Sequence, residues 1–196
     1  MGAGNLTRHP PAPMVLSLLS LLLLISGTVV GALRAIEPFE LLSRSSTSAQ
    51  MKLTIAAGLV AIIAAMLWWG ERIIGKSAKQ GVGLLSGILI TAGALLSGLA
   101  DSVNGFLGLE DFVMIDFLQE VSGEQLVKIL IPFSFIGSLL IFAGAVLFLS
   151  IELVRSKNGP VSDVDPWKGH TLEWAEDIVT VESERPLLDE LEKAET

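Results

Sequence analysis

The chain has 196 residues, 51% of them hydrophobic and 17% charged, with a mean hydropathy of +0.64 and a formal net charge of −8 at pH 7. A soluble domain carries about 25% charged residues, so this composition excludes an ordinary soluble enzyme and a nucleic-acid binder. Cysteine is absent, which excludes disulfides, iron–sulfur ligation, thiolate zinc sites and cysteine nucleophiles.

Four stretches carry no charge: residues 10–33, 53–70, 80–100 and 129–151, of 24, 18, 21 and 23 residues. A helix crosses a bilayer with about 20 mostly apolar residues. The sequence therefore predicts an all-α integral membrane bundle of four transmembrane helices with an acidic, partly disordered cytoplasmic tail. About half the chain lies outside these stretches, too little for a large independent catalytic domain.

An N-terminal arm, residues 1–13, precedes the first predicted helix, 14–33. Pro11 and Pro13 mark its start, where a missing N–H costs little. The stretch also has features of a signal peptide. Its apolar run exceeds the usual roughly 7–15 residues and no clean A-x-A site follows, so a retained helix is the expectation. The second helix, 51–70, ends on Trp68-Trp69, suited to an interfacial aromatic belt.

The third helix, 81–100, is rich in small residues. Gly83 and Gly87 form a G-x-x-x-G pair, and Ala94 and Gly98 repeat the spacing. Small residues four apart share a face and let another backbone approach closely. That face serves either self-association or packing within this one bundle, and the second is the expectation. Gly81-Val82-Gly83 is no phosphate loop, because no strand precedes it and no Gly-Lys-Ser/Thr follows.

Residues 101–128 hold six acidic residues and one basic one. Leu109, Phe112, Val113, Phe117, Leu118 and Val121 recur at helical spacing. An amphipathic helix at 109–121 on the membrane surface fits this pattern, and so does a loop folded back on the bundle. The fourth helix, 127–153, has Pro132 in its first turns.

Lys/Arg placement sets the expected orientation. The second connection has Arg72, Lys76 and Lys79, and the end of the fourth helix has Arg155 and Lys157. The third connection has only Lys128. The first, with Arg34, Arg44 and Lys52, dilutes the contrast. The best fit puts both termini in the cytoplasm and the acidic connection outside.

The tail is residues 155–196, and its part from 159 onward carries the whole charge excess. Residues 159–196 hold eleven acidic and three basic residues, against ten of each in 1–158. Leu187, Leu188 and Leu191 fit a short helix or a disordered end. His9 and His170 lie outside the apolar stretches and read as plain surface histidines. No charge sits in the middle of an apolar stretch, which argues against a pump or carrier acting alone. The sequence offers no catalytic, cofactor-binding or metal-ligating residue.

Asp165-Pro166-Trp167-Lys168-Gly169-His170-Thr171-Leu172-Glu173-Trp174-Ala175 resembles the cytoplasmic tail of subunit I of haem–copper (cytochrome c and quinol) oxidases, where a "PW…TLEW" segment follows the last helix. The helix end and basic linker at 150–159 and the stretch 181–186 extend the likeness, which covers about residues 132–188. The family's proline-rich run after "TLEW" is replaced by Glu176-Asp177-Ile178-Val179. None of the family's ligand histidines has a counterpart, so the resemblance implies a place in an oxidase complex rather than its chemistry.

What the resemblance implies is a non-catalytic, accessory or structural subunit of a terminal oxidase of the aerobic respiratory chain. It would be a multi-pass protein of the plasma membrane. Its partners would be the lipid bilayer and oxidase subunits, with haem and copper only in those partner chains. Trp167, Thr171, Leu172, Glu173 and Trp174 would dock the tail, the two tryptophans acting as stiff apolar anchors. The alternative is a stand-alone membrane scaffold, assembly factor or self-associating bundle with no redox role.

Overall fold

The computed structural model describes residues 12–34, 36, 44–106 and 124–160. The chain divides into two units, Met1–Pro160 and Val161–Thr196, and the second lies outside the described residues. So does the candidate surface helix at 109–121.

Five helices follow in order: α1 (Ala12–Arg34), α2 (Arg44–Trp68), α3 (Gly70–Ile74), α4 (Gln80–Phe106) and α5 (Glu124–Asn158). The described residues are all helix, turn or connection. Four helices are long and apolar enough to cross a membrane: α1, α2, α4 and α5. The chain is thus a multi-pass membrane protein, because only structures that satisfy every backbone group internally can cross lipid.

The helices outrun the apolar stretches that announce them. α2 begins at Arg44 rather than at 51, and α4 runs to Phe106 rather than to 100. α5 spans 124–158 rather than 127–153, and α1 spans 12–34 rather than 14–33. Polar residues in the added turns are buried against neighbouring helices, among them Ser45, Ser46, Asp101 and Asn104. A helix therefore remains the cheapest backbone there even though hydropathy has ended. Past Trp68 the chain turns at Trp69 and makes the short α3, so the predicted end at residue 70 falls inside a new element. Gly75 stops α3 with φ +68, a left-handed conformation that suits glycine after a helix.

α4 is the central helix. Half of its most apolar window is buried inside the bundle, against 17% in α1 and α5. It packs on α1 and α2 on one side and on α5 on the other. Toward α1 and α2, a Cβ on Gly83 would strike Leu67, one on Gly87 would strike Leu16, and one on Gly98 would strike Leu53. Ala94 is fully buried in the same core. The Gly83, Gly87, Ala94 and Gly98 positions are thus filled by leucines and neighbours of this bundle.

A second small face meets α5 and was not singled out from sequence. A Cβ on Gly93 would lie 2.5 Å from the Gly137 carbonyl oxygen and 2.9 Å from the Ile141 nitrogen. One on Gly144 would lie 2.8 Å from the Ser86 carbonyl oxygen. Ser86 Oγ donates to the Gly144 carbonyl across the same seam. Backbones this close require small residues.

Gly93→Ala is expected to cost about 1–3 kcal/mol, the usual cost of overpacking, because its obstacles are backbone atoms that cannot rotate away. Gly58→Ala, with nothing within 4 Å of its Cβ, is the matched control and should leave stability unchanged or slightly raised. Thermal unfolding of both variants in the same detergent separates the two. Equal midpoints would contradict the close α4–α5 approach.

Candidate functional site

Two ionic layers, one near each end of the bundle, hold the chemistry among the described residues. The first joins α2, α4 and α5. Lys52 Nζ donates to Asp101 Oδ2 at 2.6 Å and to Ser134 Oγ at 3.1 Å. Ser45 Oγ donates to the Asp101 carbonyl oxygen at 3.2 Å. Asp101 is almost wholly buried, its side chain 6% exposed against 29% for Lys52. One turn on, Asn104 is buried and its Oδ1 has no hydrogen-bond partner.

The second layer lies at the opposite end, where α2, α3 and α5 meet the connection into α4. Arg155 is 4% exposed. Its Nε and Nη2 both donate to the Lys76 carbonyl oxygen, at 2.9 and 2.7 Å. Its Nη1 donates to both Glu152 carboxylate oxygens at 3.2 Å. Lys76 replies: its Nζ donates to the carbonyls of Ser156 and Lys157 at 2.7 and 3.0 Å. Ser77 N–H donates to the Pro160 carbonyl at 2.9 Å. Helix α5 and the first residues after it are therefore tied to the α3–α4 connection by reciprocal bonds, not by hydrophobic contact alone.

The spacing of the layers is informative. Ser134 and Arg155 lie 21 residues apart on α5, about 31 Å at 1.5 Å per residue. Gln80 and Asp101 are separated by the same count on α4. From Lys52 to Gly70, which abuts Arg155, the distance is about 27 Å on the same rule. A bilayer's hydrocarbon core is about 30 Å thick. Between the layers α1, α2, α4 and α5 carry no charged residue. The two ion-pair layers are thus spaced by about the thickness of a hydrocarbon core, and between them the helices meet through an apolar core and small residues.

Lys52 is the residue immediately before one apolar stretch, and Asp101 the residue immediately after another. Lys52 falls at the start of the expected helix 51–70 and Asp101 just past the expected helix 81–100, and nothing in the sequence announces their pairing. The Glu152–Arg155 pair had a local signal, since opposite charges three apart on a helix meet. The Lys76 carbonyl had none. Trp167, Thr171, Leu172, Glu173 and Trp174, the expected docking residues, lie outside the described residues.

No family model matches this chain, and no curated protein matches it.

Proposed function

We propose that this chain is a non-catalytic membrane subunit of a haem–copper terminal oxidase of the aerobic respiratory chain. It lies in the plasma membrane with both termini in the cytoplasm and docks through Trp167, Thr171, Leu172, Glu173 and Trp174. The observation that carries the reading is the Asp165–Ala175 string, which stands a few residues beyond a transmembrane helix and its basic end.

Two features support it. The bonds from Lys76, Ser77 and Arg155 hold residues 155–160, the described part of the tail, to the α3–α4 connection. The same end carries four Lys/Arg among described side chains, Lys76, Lys79, Arg155 and Lys157, against three at the other, Arg34, Lys52 and Lys128, a bias in the direction that cytoplasmic ends show. In this reading electron and proton chemistry belong to partner chains, with their haem and copper. This chain supplies helices at the edge of the complex.

The test is a pull-down of the tagged protein from its native membranes in mild detergent, read by a reduced-minus-oxidised haem spectrum and by subunit identification. Haem a- or b-type bands and oxidase chains should co-elute. Alanine at Trp167 and Trp174 together should cut that recovery about tenfold or more, as truncating two interface anchors does. A haem-free eluate beside an intact oxidase in the same extract would overturn the proposal in favour of a stand-alone bundle.

A further inference from the structure

The cleft between α1 and α2 at the Arg155 end has no place in the docking reading. It measures about 440 Å³ and is walled by Pro13, Met14, Ser17 and Ser20 of α1 and by α2 from Ala61 to its end, with Trp69 of the following turn. Its depth comes from small side chains: Ala61, Ala64 and Ala65 leave room that larger residues would fill. Leu16 and Leu67, by contrast, are buried in the core, where they meet the α4 glycines.

The serines of the cleft need no further acceptor. Ser17 Oγ donates to the Pro13 carbonyl at 2.9 Å, and Ser20 Oγ to the Ala57 carbonyl at 2.9 Å. Its hydroxyls are thus already satisfied, so an apolar occupant loses nothing there. Trp68 and Trp69 line the end nearest α3. Indole rings favour the headgroup level of a bilayer, so the cleft runs from that level down into the hydrocarbon. Over Ala61 to Trp69 it is about 12 Å long at helical rise, a shape suited to a single chain lying along the helices.

Charge selects among lipids. Among the described side chains this end carries four cations, Lys76, Lys79, Arg155 and Lys157, and one anion, Glu152. Lys79 and Lys157 are exposed. Basic residues beside a membrane attract anionic headgroups.

We propose that this cleft is a binding site for one acyl chain of an anionic phospholipid, whose phosphate lies at the Trp68-Trp69 level within the field of the basic end. The proposal rests on the membrane-spanning fold alone and stands or falls apart from the oxidase reading.

The test equilibrates the purified full chain with vesicles of equal parts phosphatidylglycerol and phosphatidylcholine. It is then re-extracted in mild detergent, and the retained lipid is weighed by native mass spectrometry. One phosphatidylglycerol should be retained, in clear excess over phosphatidylcholine. Ala61→Leu with Ala65→Leu, at two exposed positions, should abolish retention without lowering the unfolding temperature. Lys79→Gln with Lys157→Gln should keep a lipid but erase the preference, about fivefold per charge removed. Retention unchanged by cleft filling, or no preference for phosphatidylglycerol, would overturn the proposal. So would an oligomer that dissociates on cleft filling, which would assign the cleft to a second copy of the chain.

Discussion

Replacing Arg155 by leucine is expected to release the start of the tail from the bundle and to destabilise the fold by about 3–5 kcal/mol, the usual cost of removing one partner from a buried pair. Three losses combine. The Glu152 carboxylate is left without its cation. The Lys76 carbonyl loses two charged donors. The space beside Gly70, where Nη1 lies 3.0 Å from a notional Cβ, is left to a side chain of different shape. Arg155→Lys should recover only part of the loss, because a compact ammonium lacks the planar fork that sets two N–H groups on the Lys76 carbonyl and another on Glu152.

The readout is hydrogen exchange at Ser77 together with limited proteolysis at 156–160. Both should rise in the leucine variant while exchange in the middle of α4 stays slow. The bonds from Ser77 N–H to Pro160 and from Lys76 Nζ to Ser156 and Lys157 depend on the same junction. Unchanged protection at Ser77 would mean that Arg155 does not organise it.

The second large effect is expected at Lys52–Asp101, and it is asymmetric. Lys52→Leu leaves a carboxylate that is 6% exposed with no cation beside it, at a cost of about 3 kcal/mol. Asp101→Leu leaves Lys52, which is longer and 29% exposed and can extend toward the headgroups. That cost should be about 1 kcal/mol. The double variant should be more stable than Lys52→Leu alone, because no unpaired charge remains. Unfolding midpoints of the three variants and the parent in one detergent give the cycle. A double variant worse than either single one would show that the pair itself, not the avoidance of a stranded charge, stabilises the end of the bundle.

Much of this architecture was legible in the residues because the cost of placing a charge in hydrocarbon is local. Each uncharged stretch could be weighed without its neighbours, and the four stretches correspond to the four long helices. That Gly83, Gly87, Ala94 and Gly98 share one helix face follows from their spacing whatever lies opposite, and what lies opposite does not. The tail string was legible as a string, and the residues proposed to dock lie outside the described residues.

Partners were not legible. Lys52 and Asp101 are 49 residues apart, and Arg155 and the Lys76 carbonyl 79. Their meeting depends on the register in which whole helices pack. The same register carries α2 and α4 past their apolar ends, because the Ser45 hydroxyl finds the Asp101 backbone carbonyl there. It also gives Gly93 the Gly137 backbone as its neighbour, although two glycines seven apart on α5, Gly137 and Gly144, were a faint hint of that seam. Hydropathy therefore set how many helices cross and where the charges stop. Packing alone decided which charge answers which, because a hydrogen bond requires contact within about 3 Å and sequence separation does not encode contact.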